Sequence, residues 1–281
     1  MAQAVSGVEW MDGKTPCQFT IDGILRENLD LAKRRVRKQN WDYVAIISGI
    51  PGAGKSTFSR TLARYCCPWF DNEYVAFTSE EFVKITNNCP EFSSVILDES
   101  FQSMNARVTM TKAFLQIVNH LQIIRQRHLY VFLCLPNFFD LSKNIAIFRS
   151  SHLFIVYADQ EGRRGRFLAF SRDGKRRLYI RGSKFLDYNA VKSNFKGKYS
   201  LNPNILDESI YEGRKFGHLK AQETDLLQIT SKSERDDVLV AILRKKLLNL
   251  NQIAEISGLS TRRIRQIQET YQKSAENEAL K

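Results

Sequence analysis

Lys55 and Ser56 close the run Gly49-Ile50-Pro51-Gly52-Ala53-Gly54-Lys55-Ser56, which fits the pattern G-x-x-x-x-G-K-[ST] at every position. Glycines at this spacing let the backbone turn tightly, so that its N–H groups point inward at phosphate oxygens. A helix that follows adds the partial positive charge of its N-terminus. Lys55 would then reach β- and γ-phosphates, and the Ser56 hydroxyl would bind Mg²⁺. Gly49, Gly52, Ala53, Gly54 and Thr57 complete the expected cradle. The other reading of these residues is a glycine-rich turn that closes a strand.

Asp98-Glu99 is the second chemical pair, and it follows the apolar run Ser94-Val95-Ile96-Leu97. A strand ending there delivers the acids to the carboxyl edge of a sheet, where open α/β folds bind ligands. Asp98 would hold Mg²⁺ through water on the side facing Ser56. Glu99 would orient and polarise an attacking water. Two adjacent acids also suit a solvated turn. Phosphoryl transfer needs positive charge at the γ-phosphate beyond Lys55. Arg149, just before the last apolar strand, is the first choice to supply it to a neighbouring subunit, with Arg125 and Arg127 as competitors.

The elements that must position these groups alternate. Tyr43-Val44-Ala45-Ile46-Ile47-Ser48 reads as a buried strand and Ser56 to Tyr65 as a helix. Tyr74–Phe77 is a short strand, and Thr78 with Glu81 is a capping box that opens a helix. Thr109 to Arg127 has helical periodicity, with Phe114, Ile117, Val118, Leu121 and Ile124 on one face. Leu129–Leu135 and His152–Tyr157 are further apolar strands. Fully apolar strands separated by helices imply a parallel sheet covered on both faces. Ahead of them, Ile21 to Lys38 reads as a helix with a basic end.

From Asp159 the character changes, and nine Arg and Lys residues crowd into Arg163–Lys184. Phe167-Leu168-Ala169-Phe170 and Arg177-Leu178-Tyr179-Ile180 flank Asp173-Gly174, which is a hairpin signal. Arg172, Arg176 and Arg177 on that hairpin are expected to meet a DNA backbone. Residues 185–232 are polar and read as an extension plus linker. The expected domains are a helical prelude over 1–40, a core over 41–158, a basic extension and linker over 159–232, and a C-terminal module over 233–281.

In that module, Asn251 to Ile267 reads as a helix-turn-helix. Ala254 is small where two helices would cross, Gly258 sits at the turn, Ser260 is a good N-cap, and Ile253, Leu259, Ile264 and Ile267 form a compact core. The second helix would present Thr261, Arg262, Arg263, Arg265 and Gln266 to a major groove. A helical hairpin that mediates oligomer contacts is the alternative.

Composition points the same way. The 281 residues carry 42 Lys and Arg against 30 Asp and Glu, a formal charge of +12. A nucleotide site alone does not need that excess, which suggests nucleic acid or an anionic surface as a partner. Five cysteines without a Cys-x-x-Cys pair, and four scattered histidines, give no zinc spacing and suit reduced thiols in a cytoplasm. No stretch reaches the ~18 apolar residues of a membrane span, and the N-terminus lacks the basic-then-apolar order of a signal peptide.

The order of phosphate loop, Ile96-Leu97-Asp98-Glu99, long helix and Leu129–Asn137 strand resembles the FtsK/HerA branch of additional-strand P-loop ATPases. More closely, it resembles the compact zonular-occludens-toxin-like ATPases of viruses and mobile elements. The resemblance spans roughly residues 43–158. It implies ATP and Mg²⁺ as ligands, a ring-forming oligomer, and work on DNA or protein. It also implies that Asn137, after the Leu129–Leu135 strand, senses the γ-phosphate; capping a turn after Pro136 is its other role. The expected fold is thus α/β: a P-loop NTPase with a mostly parallel sheet, a basic β-hairpin extension and a small all-α helix-turn-helix domain. The expected activity is Mg²⁺-dependent ATP hydrolysis in DNA translocation, packaging or replication, in the host cytoplasm if the chain is viral. An ATP-switched DNA-binding regulator and a small-molecule kinase are the alternatives.

Overall fold

The structure, a computed structural model, describes residues 5–6, 19–98, 117, 120–122, 124–201, 205–218, 251 and 260–269. Contacts divide the chain into one unit over residues 1–212 and a second over 213–281.

The first unit is built on a seven-stranded mixed sheet. Its strands are β3 (Tyr43–Ser48), β4 (Val75–Ala76), β5 (Ser94–Asp98), β6 (Tyr130–Leu135), β7 (His152–Tyr157), β8 (Arg166–Phe170) and β9 (Phe195–Lys198), in the order β4-β5-β6-β3-β7-β8-β9. The pairs from β4 to β7 are parallel, whereas β7–β8 and β8–β9 are antiparallel. Two short strands, β1 (Val5–Ser6) and β2 (Thr20–Ile21), pair separately. The helices packed on it include α1 (Gly23–Lys38), α2 (Lys55–Cys66), α3 (Ser79–Asn88) and α4 (Arg172–Gly182).

Strand residues alternate between two cores. Tyr43, Ala45 and Ile47 face a layer that holds Leu25 and Leu29 of α1 and Phe58 and Leu62 of α2. Val44 and Ile46 face a second layer with Phe82 of α3, Leu121, Ile145, and Leu178 of α4. Both faces are covered, which is why these strands read as unbroken apolar runs. Asp22 caps α1 by accepting from the N–H groups of Ile24 (3.0 Å) and Leu25 (3.3 Å). At α3, Thr78 accepts from the Glu81 N–H at 3.1 Å, and the Glu81 carboxylate reaches back to the Phe77 N–H at 2.9 Å. That is one residue beyond the Thr78 N–H that a capping box engages.

Two expectations change. The segment after Phe170 is a helix and not the second arm of a hairpin. Ser171 caps it by accepting from the Gly174 N–H at 3.3 Å, and Gly174, Lys175, Leu178 and Gly182 are its buried positions at helical spacing. The strand β8 instead pairs with β9, which comes more than twenty residues later. Nor is the stretch up to Glu212 a linker: Tyr199, Ile205, Leu206 and Tyr211 are buried in the first core layer. The first unit therefore runs past the expected boundary at 158 and ends short of 232. Of the long helix expected over 109–127, residues 117 and 120–122 are helical and Ile124–Arg127 form a 3-10 turn. Phe114 and Val118 lie outside the described residues.

In the second unit, residues 261–269 are helical and Ser260 accepts from the Arg263 N–H at 3.3 Å. Ile264 and Ile267 are buried, while Arg262, Arg263, Arg265 and Gln266 are exposed and Thr261 is half-buried. The remainder of the expected helix-turn-helix, residues 252–259, lies outside the described residues. Among the described residues no helix is long and apolar enough to cross a membrane.

Candidate functional site

The strand β3 ends at Ser48, and the loop that follows spans the gap to α2. Gly49, Gly52 and Gly54 have φ of 151°, 77° and 101°. At Gly49 a Cβ would lie 2.2 Å from the Val156 carbonyl oxygen, so the loop backbone is pressed against β7. At Gly54 a Cβ would lie 2.5 Å from the Tyr199 hydroxyl. Around Gly52 the space is open. Gly54 is the N-cap of α2; no side chain caps that helix and no acid occupies its first turn. A helix start with neither a capping side chain nor an acid in its first turn suits an anion. The Lys55 ammonium donates to the carbonyls of Gly49 (2.7 Å) and Ile50 (3.0 Å), curling over the loop it belongs to. Ala53 is buried within the loop, and Thr57 is half-buried in the first turn of α2.

Asp98 ends β5 and is 7% exposed. Between β5 and β3 lies β6, so two interstrand spacings, about 9–10 Å, separate the acid's strand from the loop's. The turn into α2 spans that gap: Ser56 Oγ donates to Asp98 Oδ1 at 3.1 Å. The structure thus brings Ser56 and Asp98 together across 42 residues. Glu99 lies outside the described residues.

A hydroxyl and a carboxylate form an all-oxygen donor set. Among the described residues no three His, Cys, Asp or Glu side chains converge on a metal position. One carboxylate and one hydroxyl, completed by waters and phosphates, suit Mg²⁺, which keeps much of its hydration. The open space at Gly52 and the uncapped α2 terminus fit the phosphates.

Three side chains that the motifs did not reveal close the site. Tyr199, just after β9, donates to the carbonyls of Gly54 (3.1 Å) and Ala53 (3.4 Å), with its ring 4.6 Å from that of Phe58. Tyr211, from a helical stretch over 208–218, donates its hydroxyl to Asp98 Oδ2. Burial and the neighbouring Asp98 carboxylate push the Tyr211 phenol above its ordinary range, so it stays a donor. Tyr188 accepts from the Phe138 N–H at 2.8 Å, donates to Asn137 Oδ1 at 2.8 Å, and lies 3.3 Å from Ser48 Oγ. Asn137 also accepts from the Phe139 N–H at 3.3 Å, so it caps a 3-10 turn. Its position at the end of β6, beside the end of β3, is on the loop's edge of the sheet.

The arginines divide by edge. Arg149 pairs with Asp42 and donates to the Leu121 carbonyl, with its side chain only 16% exposed. Asp42 precedes β3 and Arg149 precedes β7, so both lie at the amino edge of the parallel strands. The loop lies at the carboxyl edge, six residues along β3, or ~20 Å away. Arg125 and Arg127 precede β6 and share the amino edge; Arg127 donates to the carbonyls of Asn87 and Cys89. The expectation for Arg149 is therefore withdrawn: its charge is neutralised in an ion pair on the far edge. At the loop's own edge stands Arg164, exposed in the β7–β8 turn next to Gly165, whose carbonyl accepts from the Tyr199 N–H at 3.0 Å.

Arg172, Arg176 and Arg177 are exposed on α4 together with Arg181 and Lys184 just after it. Lys175 is buried beneath them and donates to the carbonyls of Ala146 (2.7 Å) and Ile147 (2.8 Å). Burial lowers its pKa from the ordinary lysine value to about 7, and Arg172 adds to the shift.

No protein-family model matches the chain, and no curated protein sequence is significantly similar to it.

Proposed function

We propose that the chain is a Mg²⁺-dependent ATPase that acts on DNA, in translocation, packaging or replication for a virus or mobile element. The observation that carries this reading is the 3.1 Å contact of Ser56 with Asp98, which joins the two motifs at one sheet edge. The strand order supports it, because β6 lies between the loop strand and the acid strand. Such an extra strand gives the additional-strand ATPases their name. ATP with Mg²⁺, when bound, supplies the scissile anhydride and neutralises its charge. The loop N–H groups and Lys55 would bind the phosphates, Lys55 turning from the carbonyls of Gly49 and Ile50 to do so. Ser56 and Asp98 would hold the metal. Glu99, the residue after Asp98, would take the proton of the attacking water. The Asn137 amide nitrogen would donate to the γ-phosphate while its oxygen caps the turn. Arg164 would replace Arg149 as the cation offered to a neighbouring subunit of a ring-shaped oligomer.

DNA enters this reading through charge. The exposed face of α4 and the helix over 261–269 each carry three or more arginines, and the chain as a whole is strongly basic. Steady-state phosphate release from ATP, with and without DNA, tests the proposal. Stimulation by DNA is the expected result. Binding without turnover would favour an ATP-switched regulator, and transfer to a small acceptor regardless of DNA would favour a kinase.

A further inference from the structure

Asp98 is gripped at both oxygens. Ser56 donates to Oδ1 at 3.1 Å and Tyr211 donates to Oδ2. Each carboxylate oxygen carries two lone pairs, so each can still accept a second hydrogen bond from a metal-bound water. Two donors on opposite oxygens fix the rotation of the carboxyl plane without consuming its capacity.

The second donor is itself held from several sides. The Arg60 guanidinium lies 4.5 Å over the Tyr211 ring, and the Phe77 ring is 5.6 Å away. Glu208 holds Arg60 through two hydrogen bonds of 2.6 and 3.4 Å. Arg60 Nε also donates to the Ser56 carbonyl at 3.3 Å. The contacts close on themselves: Ser56 to Asp98, Asp98 to Tyr211, Tyr211 to Arg60, and Arg60 back to Ser56. The start of the Tyr211 helix is anchored as well. Asp207 accepts from the N–H groups of Ser209 and Ile210, and its carbonyl accepts from Asn72 Nδ2 at 3.2 Å. Tyr211 is 2% exposed and Asp98 7%, so water competes little for the bond between them, whereas Glu208 holds Arg60 from the exposed side.

We infer that Tyr211 is a positioning residue for the metal site: through its hydroxyl on Asp98 Oδ2 it sets how tightly the chain holds Mg²⁺ beside a nucleotide. The inference rests on the nucleotide reading above and adds to it a residue 113 positions away from the carboxylate it serves. Partners that orient a directly ligating group typically change metal affinity by about 10–100-fold when removed; Asp98 reaches the metal through water, so the low end of that range is expected for Tyr211.

The test uses the full chain with a non-hydrolysable ATP analogue and Mn²⁺ as a paramagnetic probe, free Mn²⁺ being read by electron paramagnetic resonance. Tyr211→Phe keeps the ring on Arg60 and Phe77 and removes only the hydroxyl. It should raise the Mn²⁺ dissociation constant about tenfold and leave metal-free nucleotide affinity unchanged. Glu208→Gln, which loosens Arg60 but keeps the hydroxyl, should weaken Mn²⁺ in the same direction by less. A Tyr211→Phe chain that melts like wild type and binds Mn²⁺ equally well, or more tightly, overturns the inference. Loss of nucleotide and Mn²⁺ affinity together would also count against it, since that is what a merely structural tyrosine gives. A wild-type chain that holds no Mn²⁺ beside nucleotide would overturn the nucleotide reading itself, and this role with it.

Discussion

Lys55 and Glu99 divide the expected chemistry between holding and reacting, and substitution separates the two. Lys55→Ala removes the cation that curls over the loop and should abolish both tight nucleotide binding and turnover. Glu99→Gln keeps the shape of the site and should bind ATP while hydrolysing it at least about a hundredfold more slowly, the scale of a lost general base. Equilibrium binding and single-turnover hydrolysis distinguish them; wild-type turnover in Glu99→Gln would remove that residue from the chemistry. Gly54→Ala should be harmful for another reason. Its φ of 101° is strained for any residue with a Cβ, and that Cβ would lie 2.5 Å from the Tyr199 hydroxyl. We expect a loss of about 1–3 kcal/mol of stability, measured by denaturant unfolding; wild-type stability would mean that the loop adapts freely. The motif residues were legible because each works beside its sequence neighbours. Tyr199 and Tyr211 were not, because they meet the loop and Asp98 only through folding, from 145 and 113 residues away. Arg149 is different. A residue that precedes a parallel strand must lie at the edge away from Gly49, so the sequence did contain the signal against it.

At the scale of elements, the basic region after β7 changes from hairpin to helix, and its charges gain a defined geometry. Arg172 and Arg176 are four residues apart on one stripe of α4, with Arg177 beside them, all exposed. Asp173-Gly174 between apolar runs suggested a turn, but Ser171 as a cap and buried positions at 174, 175, 178 and 182 make a helix. Arg172→Ala/Arg176→Ala/Arg177→Ala should weaken binding to all DNA sequences alike. It should also flatten the salt dependence by up to about 2–3 in log–log slope, since each phosphate contact contributes roughly −0.9. Unchanged affinity and slope would leave this face merely solvated. A second element carries a pH signature. His152 opens β7 beneath Tyr43, and burial lowers its pKa from the ordinary value to about 4, with Lys175 and Arg35 adding to the shift. Between about pH 6.5 and 4 the unfolded chain takes up a proton there that the folded chain refuses. Its contribution therefore falls as the pH drops through that window. His152→Phe should make the fall in unfolding free energy over that range shallower than in wild type; identical slopes would show that His152 titrates normally.

At the scale of the whole molecule, the first unit ends at Glu212 and includes Tyr199, which holds the loop, and Tyr211, which holds Asp98. The polar composition of residues 185–212 concealed this: Tyr199, Ile205, Leu206 and Tyr211 are too sparse to set a helix or strand period. A chain ending after Glu212 should keep cooperative unfolding and nucleotide binding but lose any DNA site selection supplied by the helix over 261–269. A chain ending after Lys198 should lose nucleotide binding as well, because Tyr199, which holds the loop carbonyls of Ala53 and Gly54, and the buried Ile205 and Leu206 go with the deleted segment. Thermal melts and footprinting of the two truncations against the full chain check both statements. The alternation of strand and helix was readable because doubly covered strands leave unbroken apolar runs. In the proposed function the Gly49–Ser56 loop and Asp98 together make one Mg²⁺-nucleotide site. Its most direct test is calorimetric titration of ATP into the wild-type, Lys55→Ala and Asp98→Asn chains, each with and without Mg²⁺. Wild type should bind tightly and more so with Mg²⁺, Lys55→Ala should bind little, and Asp98→Asn should bind without any gain from Mg²⁺. Equal titrations for all three chains, with or without the metal, would contradict the proposed site.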